Sequence, residues 1–238
     1  MKKIIAVLLS VCVMGAVVGC SDGNKSEVVG YFESKTSAKE TDVLSAAAFH
    51  LGGAGVSKES LRTVLENNGF TSEEIDYAME NCGADWYEQT KMRATYYMEL
   101  MPLSYDDLVL QLKFEGFTDE EAEFGAAELY GGTSDPENEA YKAIENENAL
   151  EQAKELLEDE GYSHSRLIKE LEEKSYSNEA STYAADNCGA DWNEEAVERG
   201  KQFIPFLESK TKSELIEQLQ HDGFTYEEAL YSATENGF

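Results

Sequence analysis

One six-residue sequence occurs twice in the chain and constrains its fold more than any other feature. Residues 81–86 read Asn-Cys-Gly-Ala-Asp-Trp, and residues 187–192 repeat this sequence unchanged, 187 − 81 = 106 positions later. The two copies contain both tryptophans of the chain. Because an identical match with Trp and Cys is very rare by chance, most of the chain is predicted to be a duplication of a unit of about 90 residues.

Each unit is itself double. Four equivalent turn segments begin at Gly69, Gly116, Ser175 and Gly223. Four and eight residues before each turn stands a leucine, which is the spacing of one face of a helix. These leucines are Leu61, Leu65, Leu108, Leu112, Leu167, Leu171, Leu215 and Leu219. The pattern predicts four repeats of about 47 residues, arranged as two pairs.

Start and stop signals predict three short helices in each repeat. Thr71, Thr118 and Thr225 each begin a Thr-x-x-Glu capping box. The third repeat has Ser177-Asn-Glu-Ala instead, so its cap is expected to be weaker. Alternating β-branched runs, typical of strands, are not found. The predicted fold class is therefore all-α, with two domains that are each a pair of short three-helix, helix-turn-helix-like repeats.

The aromatic residues of the repeats are predicted to be structural. An alternative role for Trp86 and Trp192 is to anchor a binding partner. A Trp in the first turn of a helix is more often part of a core. The structural set is Trp86, Trp192, Phe70, Phe117, Tyr176 and Phe224.

Five segments follow from these patterns and from the polar stretches between them. They are a signal peptide at 1–19, a flexible tether at 20–41, a first repeat-pair domain at 42–131, a linker at 132–147 and a second repeat-pair domain at 148–238.

The amino-terminal segment has the pattern of an export signal. Lys2 and Lys3 precede an apolar run over residues 4–18, which is too short for an ordinary membrane span. The run ends in Val-Val-Gly-Cys, which resembles a bacterial lipobox. The resemblance implies cleavage between Gly19 and Cys20, acylation of Cys20 with chains such as palmitate, and attachment to the outward face of a bacterial cell membrane. The alternative is an ordinary secretion signal with a chance cysteine.

Charge excludes several classes of function. The chain has 19 Lys and Arg against 48 Asp and Glu, a formal net charge of −29. Such a chain is a poor ligand for nucleic acid, which is itself a polyanion. The three histidines show no catalytic arrangement, and the acidic runs do not fit a calcium-binding loop. We therefore predict a protein that is not an enzyme and has no cofactor, metal or nucleic acid partner.

The equivalent cysteines Cys82 and Cys188 leave two alternatives open. They form an interdomain disulfide, which the compartment outside the membrane permits, or they are two semi-buried thiols inherited by duplication. Since a disulfide needs Cα atoms within about 7 Å, and duplicated domains seldom bring equivalent points together, the second alternative is favoured.

Three features together resemble a known family, the host cell surface-exposed lipoproteins, or Ltp family. They are the lipobox, a Gly-Phe-Thr-x-x-x-Ala motif at 116–122 and an Ala-Asp-Trp-Asn-Glu-x-Ala segment at 190–196. The resemblance covers about residues 42–131 and 148–238. It implies paired helical repeats at the cell surface. Phage-encoded members act in superinfection exclusion, in which they block DNA injection by a second phage, apparently by engaging its tape measure protein.

The expected function is that of a non-enzymatic, protein-binding surface lipoprotein, with superinfection exclusion as one form of it. An acidic helical surface would dock a basic phage or envelope protein. The alternative is a structural or envelope-associated acidic lipoprotein without a specific phage role. The candidate binding residues are Glu73, Glu74, Asp119, Glu120, Glu227 and Glu228.

The lipobox interpretation gives the first test. Replacing Cys20 by Ser removes the sulfur that carries the lipid, so Cys20→Ser should move the protein from the membrane fraction to the medium or leave an uncleaved precursor. Cell fractionation and metabolic acyl labelling measure both outcomes. Acyl labelling that persists in this variant would contradict the assignment.

Overall fold

The computed structural model describes residues 38–238, and this part of the chain contains helices and turns without any strand. One turn of 3-10 helix, Ile204–Phe206, follows the tenth helix. The α-helices are α1 (Ala38–Leu51), α2 (Lys58–Asn67), α3 (Ser72–Asn81), α4 (Trp86–Leu100), α5 (Tyr105–Phe114), α6 (Asp119–Leu129), α7 (Glu139–Asp159), α8 (His164–Glu173), α9 (Asn178–Asn187), α10 (Trp192–Phe203), α11 (Lys212–His221) and α12 (Tyr226–Glu235). The all-α prediction is confirmed.

Each group of three consecutive helices is one repeat with its own hydrophobic core. The first and third helices of every repeat make its most extensive packing contact. The predicted leucines lie at the centre of the four cores, and all eight are fully buried. Burial of one leucine side chain is worth roughly 1.5–3 kcal/mol, so these positions account for much of the stability of a repeat. The predicted four three-helix repeats are confirmed.

The local signals act as the sequence predicts. Thr71, Thr118 and Thr225 form both hydrogen bonds of the capping box at the start of α3, α6 and α12. The turn before each of these helices contains a glycine with φ between +86° and +97°. Only glycine adopts this conformation readily, because it lacks a Cβ atom. These turns fix where the second helix ends and the third begins.

The third repeat replaces the missing capping glutamate with a tertiary contact. Ala180 stands where the other repeats have glutamate, and Ser175, with φ +67°, stands where they have glycine. Glu145 of α7 accepts hydrogen bonds from the Ser177 amide at 3.0 Å and from its hydroxyl at 2.9 Å. The expectation of a weaker cap did not include this partner, which comes from 32 residues away in sequence.

Repeats 1 and 2 meet through a close backbone contact and through the main chain of Glu115. A Cβ atom on Gly55 would lie 2.2 Å from the Gln89 carbonyl oxygen of α4, so only glycine fits. The Ser57 hydroxyl donates to the Glu115 carbonyl oxygen at 2.5 Å. Arg93 of α4 forms an ion pair with the Glu115 carboxylate. Glu115, at the end of α5, therefore contacts Ser57 at the start of α2 through its carbonyl oxygen and Arg93 of α4 through its carboxylate.

The same junction recurs between repeats 3 and 4. A Cβ atom on Gly161 would lie 2.3 Å from the Glu195 carbonyl oxygen of α10. The Ser163 hydroxyl donates to the Asp222 carbonyl oxygen at 2.7 Å, and Arg199 Nε lies 2.7 Å from Asp222 Oδ2. Recurrence of both the contact and the ion pair shows that the pair of repeats is the duplicated unit.

Repeats 2 and 3 are joined by helix rather than by an extended linker. The predicted linker, 132–147, is helical from Glu139, because the first turns of α7 pack on repeat 2. Tyr141 lies 4.9 Å from Tyr130 between ring centroids, and Asn148 donates to the Tyr130 hydroxyl at 3.2 Å. The turn residues from Gly131 to Pro136 lie outside the helices, whereas Tyr141 and Ile144 of α7 pack against the core of repeat 2. Residues 38–238 lie within one compact unit.

The amino-terminal predictions lie mostly outside the described residues. The signal peptide, 1–19, and the tether up to residue 37 belong to that part of the chain. From Ala38 onward the predicted tether is the start of α1.

Because each repeat has its own core, a substitution in one core should destabilise that repeat and leave the more distant repeats unchanged. Leu219→Ala should lower the free energy of unfolding of repeat 4 by about 2–5 kcal/mol, because the removed side chain leaves a cavity. Hydrogen exchange should show lost protection in α10–α12 and unchanged protection in repeats 1 and 2. Leu110→Ala is the matched control, since Leu110 is 60% exposed and its truncation should cost little. Equal loss of protection in all four repeats would contradict independent cores.

Candidate docking surface

The six predicted binding acids lie in the first turns of α3, α6 and α12. The structure places them in adjacent pairs, one pair in each of repeats 1, 2 and 4. Among the contacts of residues 38–238, no hydrogen bond or ion pair connects one pair with another. Their roles differ within each pair.

Two of the six acids are committed to the fold. Glu74 accepts a hydrogen bond from the Thr71 amide at 2.8 Å, and Glu228 accepts one from the Thr225 amide at 2.8 Å. The backbone hydrogen bond from Thr71 lowers the pKa of Glu74, and Lys39 at 3.5 Å adds to this effect. These carboxylates satisfy amides that the helix leaves without partners. They are capping residues first, and their charge is partly compensated.

Three acids remain as free surface charges. Glu73, Glu120 and Glu227 are exposed, occupy the same position in their helices, and make no hydrogen bond or ion pair within the described part of the chain. Asp119 differs because it forms an ion pair with Lys113 at 2.8 Å. The three unpaired carboxylates are therefore the residues of this set that are available to a partner.

A fourth acid occupies the same helix position, but it is ion-paired. Glu179 occupies the same position of α9 and is exposed, with Lys142 at 3.8 Å. Sequence reasoning missed it because the capping glutamate of that repeat is absent. Aligning Ser177 with Thr71 would have revealed it.

The two tryptophans lie across the junctions between paired repeats. Trp86 begins α4 but packs against the core of repeat 1, and Trp192 begins α10 but packs against the core of repeat 3. Both are partly exposed. The His164 ring lies 5.2 Å from Trp192, and its Nε2 lies 2.8 Å from Asp186. Each tryptophan therefore links two repeats while keeping an edge at the surface.

The other predicted structural aromatics lie in the repeat cores. Phe117, Tyr176 and Phe224 are buried, whereas Phe70 is partly exposed and packs against the core of repeat 1.

A shallow groove brings one of these aromatic edges next to an unpaired acid. It has a volume of about 600 Å³ and lies between the start of α10 and the start of α12. Trp192 lines one side, and Glu227 and Glu228 line the other. An aromatic surface beside a carboxylate can hold a lysine or arginine side chain, with the stem on the ring and the charge at the acid.

The remaining predictions concern the cysteines, metal binding and the lipidation site. Cys82 and Cys188 are free thiols, each half-buried at the end of a helix. Within residues 38–238, no group of three or more metal-ligating side chains is found. Gly19 and Cys20 lie outside the described residues. In the same range, no helix has the length and apolar composition needed to cross a membrane.

The division between capping and free acids can be tested by pH. Glu74→Gln should lower stability at neutral pH, because it removes the carboxylate that binds the Thr71 amide, whereas Glu73→Gln should not. The pKa of Glu74 is lower in the folded state, so its contribution is present above the unfolded pKa near 4.5 and is lost as pH falls through the folded pKa. Urea unfolding at neutral and acidic pH measures this. A difference between the variants that persists at pH 2 would contradict the capping role.

Comparison with known proteins agrees with the repeat architecture. The sequence model of a family described as host cell surface-exposed lipoprotein matches residues 85–129 and 144–188. The two matches coincide with repeats 2 and 3, so the family unit is a single three-helix repeat. They cover less of the chain than the resemblance predicted. Searches of curated proteins and of solved structures found no match. In these two segments the chain is similar to the family of host cell surface-exposed lipoproteins.

Proposed function

We propose that this protein is a membrane-anchored surface lipoprotein that binds a basic protein and does not catalyse a reaction. The observation that carries the proposal is the set of exposed, unpaired carboxylates at equivalent positions of the repeats: Glu73, Glu120 and Glu227. Acylated Cys20 would hold the chain on the outward face of the membrane and present these repeats to the exterior.

The balance of charges supports a basic partner. Most Lys and Arg side chains of residues 38–238 already pair with acids of the same chain. They are Lys39, Arg62, Lys91, Arg93, Lys113, Lys142, Arg166, Lys169, Arg199 and Lys201. Because acids greatly outnumber these cations, the surface keeps a large negative excess. Such a field mainly accelerates encounter with a positively charged partner.

The groove beside Trp192 supports specific docking in addition to general attraction. It offers an aromatic side, an unpaired carboxylate and a second carboxylate within one concave surface. A lysine or arginine of the partner would occupy this groove, with its stem against Trp192 and its charge beside Glu227. Since tryptophan is enriched among residues that dominate binding energy, Trp192 is the anchor of this proposal.

The finer form of the proposal is superinfection exclusion. In that role the basic partner would be a phage protein required for DNA injection, and binding at the host surface would block it. An envelope-associated acidic lipoprotein without a phage role is the second candidate, favoured by the presence of many acids in all four repeats. Plaque counts on cells with and without the gene distinguish the two.

A charge-neutral triple variant tests the docking acids. Replacing Glu73, Glu120 and Glu227 by Gln keeps side-chain shape but removes three charges, so association with a basic partner should slow more than dissociation accelerates. Raising salt from 0.1 M to 1 M should weaken the wild-type interaction, because the Debye length falls from about 10 Å to about 3 Å. Binding kinetics to a lysine-rich helical peptide and phage challenge of cells measure the effect.

A matched control separates position from total charge. Glu66, Glu151 and Glu217 are also exposed, and none has an ion pair among the described contacts. Their triple replacement by Gln removes the same charge elsewhere on the chain. Equal weakening by both triple variants, or unchanged binding by the folded first variant, would contradict docking at the third helices.

A further inference from the structure

Helix α9 differs from the other third helices, α3, α6 and α12, at positions where those three helices follow one pattern. In repeats 1, 2 and 4 the turn before the third helix contains Gly-Phe, and the third residue of the helix is Glu. Repeat 3 has Ser175 and Tyr176 in the turn and Ala180 in the helix. The next residue of the helix is apolar in those three repeats and is Ser181 in repeat 3. Because all four repeats share one fold, the three others show what each difference changes.

Two of the differences bury a hydroxyl group that has no partner. Tyr176 is 4% exposed and Ser181 is fully buried. Neither side-chain oxygen forms a hydrogen bond within the described part of the chain. An unpartnered buried hydroxyl is destabilising, because folding removes it from water without replacing its hydrogen bonds. Packing of α9 therefore carries a cost that the apolar residues of α3, α6 and α12 avoid.

The turn before α9 is held by a contact with another repeat. Ser175 has φ +67°, whereas the equivalent residues of the other repeats are glycines. A residue with a Cβ atom is disfavoured in this conformation. The Ser175 hydroxyl donates to Asp107 of α5 at 3.2 Å, which offsets part of the strain.

The cap of α9 also depends on a distant segment. The capping glutamates of α3, α6 and α12 belong to the helices that they cap. In repeat 3 the Ser177 amide and hydroxyl instead donate to Glu145 of α7. Glu145 is 7% exposed and belongs to no ion pair of residues 38–238. Separation of α9 from α7 would break this cap and return the Glu145 carboxylate to water, which favours a charge.

Helix α9 supports one side of the groove beside Trp192. It ends at Asn187, and the segment 189–193, which lines the groove, follows almost directly. Trp192 packs against the core of repeat 3, to which α9 contributes Ala180 and Ala184. If α9 leaves this core, the tryptophan loses its support and the groove loses one side.

We propose that α9 opens by separating from α7 and α8 while α6 stays packed, and that a basic partner in the groove beside Trp192 holds α9 closed. The second part rests on the docking function proposed above. A ligand that binds only the closed form stabilises that form by mass action, so docking and opening oppose each other. Repeat 3 thereby acts as a conformational switch for the docking site.

Hydrogen exchange of the full chain tests the opening. Helix α6 is the internal standard, because repeats 2 and 3 both lie between other repeats in the chain. We expect the amides of α9 to exchange about tenfold faster than those of α6, since only α9 carries the unpartnered hydroxyls and the distant cap. Equal protection of the two helices would overturn the proposal.

A matched pair of variants exchanges the buried hydroxyl between the two helices. Ser181→Ala removes the hydroxyl and should slow exchange in α9 several-fold, because alanine is the residue at this position in α6 and α12. Ala122→Ser places a hydroxyl at the equivalent, fully buried position of α6 and should accelerate exchange there. Unchanged or faster exchange of α9 in Ser181→Ala would overturn the proposal.

A lysine-rich helical peptide tests the link to docking. At about ten times its dissociation constant, the peptide should slow exchange in α9 about tenfold, because it binds only the closed form. The same concentration should slow α9 less in Glu227→Gln, which removes the unpaired carboxylate of the groove. A peptide whose binding is weakened by Glu227→Gln but which leaves α9 exchange unchanged would overturn the link. A peptide that does not bind would contradict the docking function instead, and exchange of the free chain would still decide whether α9 opens.

Discussion

The main chain at Gly55 lies against α4, and the main chain at Gly161 lies against α10, more closely than any residue with a Cβ atom allows. This approach places the following serine, Ser57 or Ser163, beside the end of the second helix of the next repeat. An arginine from α4 or α10 then pairs with the acid at that end. The pairing of repeats depends on these contacts and on the tryptophan that packs against the preceding core, because most other packing is within repeats.

Many basic side chains form ion pairs within the fold, and the remaining acids give the surface a net negative charge. Arg93 and Arg199 are used at the junctions, and several lysines pair with neighbouring acids. Glutamates at the starts of the third helices serve as caps. After these needs are met, the chain retains a large excess of carboxylates in the first turns of helices. Adjacent acids therefore have separate roles. Glu74 stabilises the fold as a helix cap, whereas Glu73 is exposed and unpaired.

The sequence predicts local structure well because its signals are short in range. The leucine spacing and capping boxes place the helices and the cores, since both signals act within about ten residues. Contacts between distant segments were not predictable: Glu145 replaces a missing cap from another helix, and the Ser57 hydroxyl meets the Glu115 carbonyl oxygen across a repeat boundary. The acidic start of α7 concealed apolar positions that pack on repeat 2.

Gly161→Ala tests the central claim that close backbone approach pairs the repeats. Gly161 has no positive φ, so the substitution tests space and not backbone conformation. The account predicts, by hydrogen exchange, weakened protection at the contact between repeats 3 and 4, with repeats 1 and 2 unchanged. Gly53→Ala is the control, because a Cβ atom there meets nothing nearer than 3.4 Å. Unchanged protection in Gly161→Ala, or equal loss across all four repeats, would contradict the account.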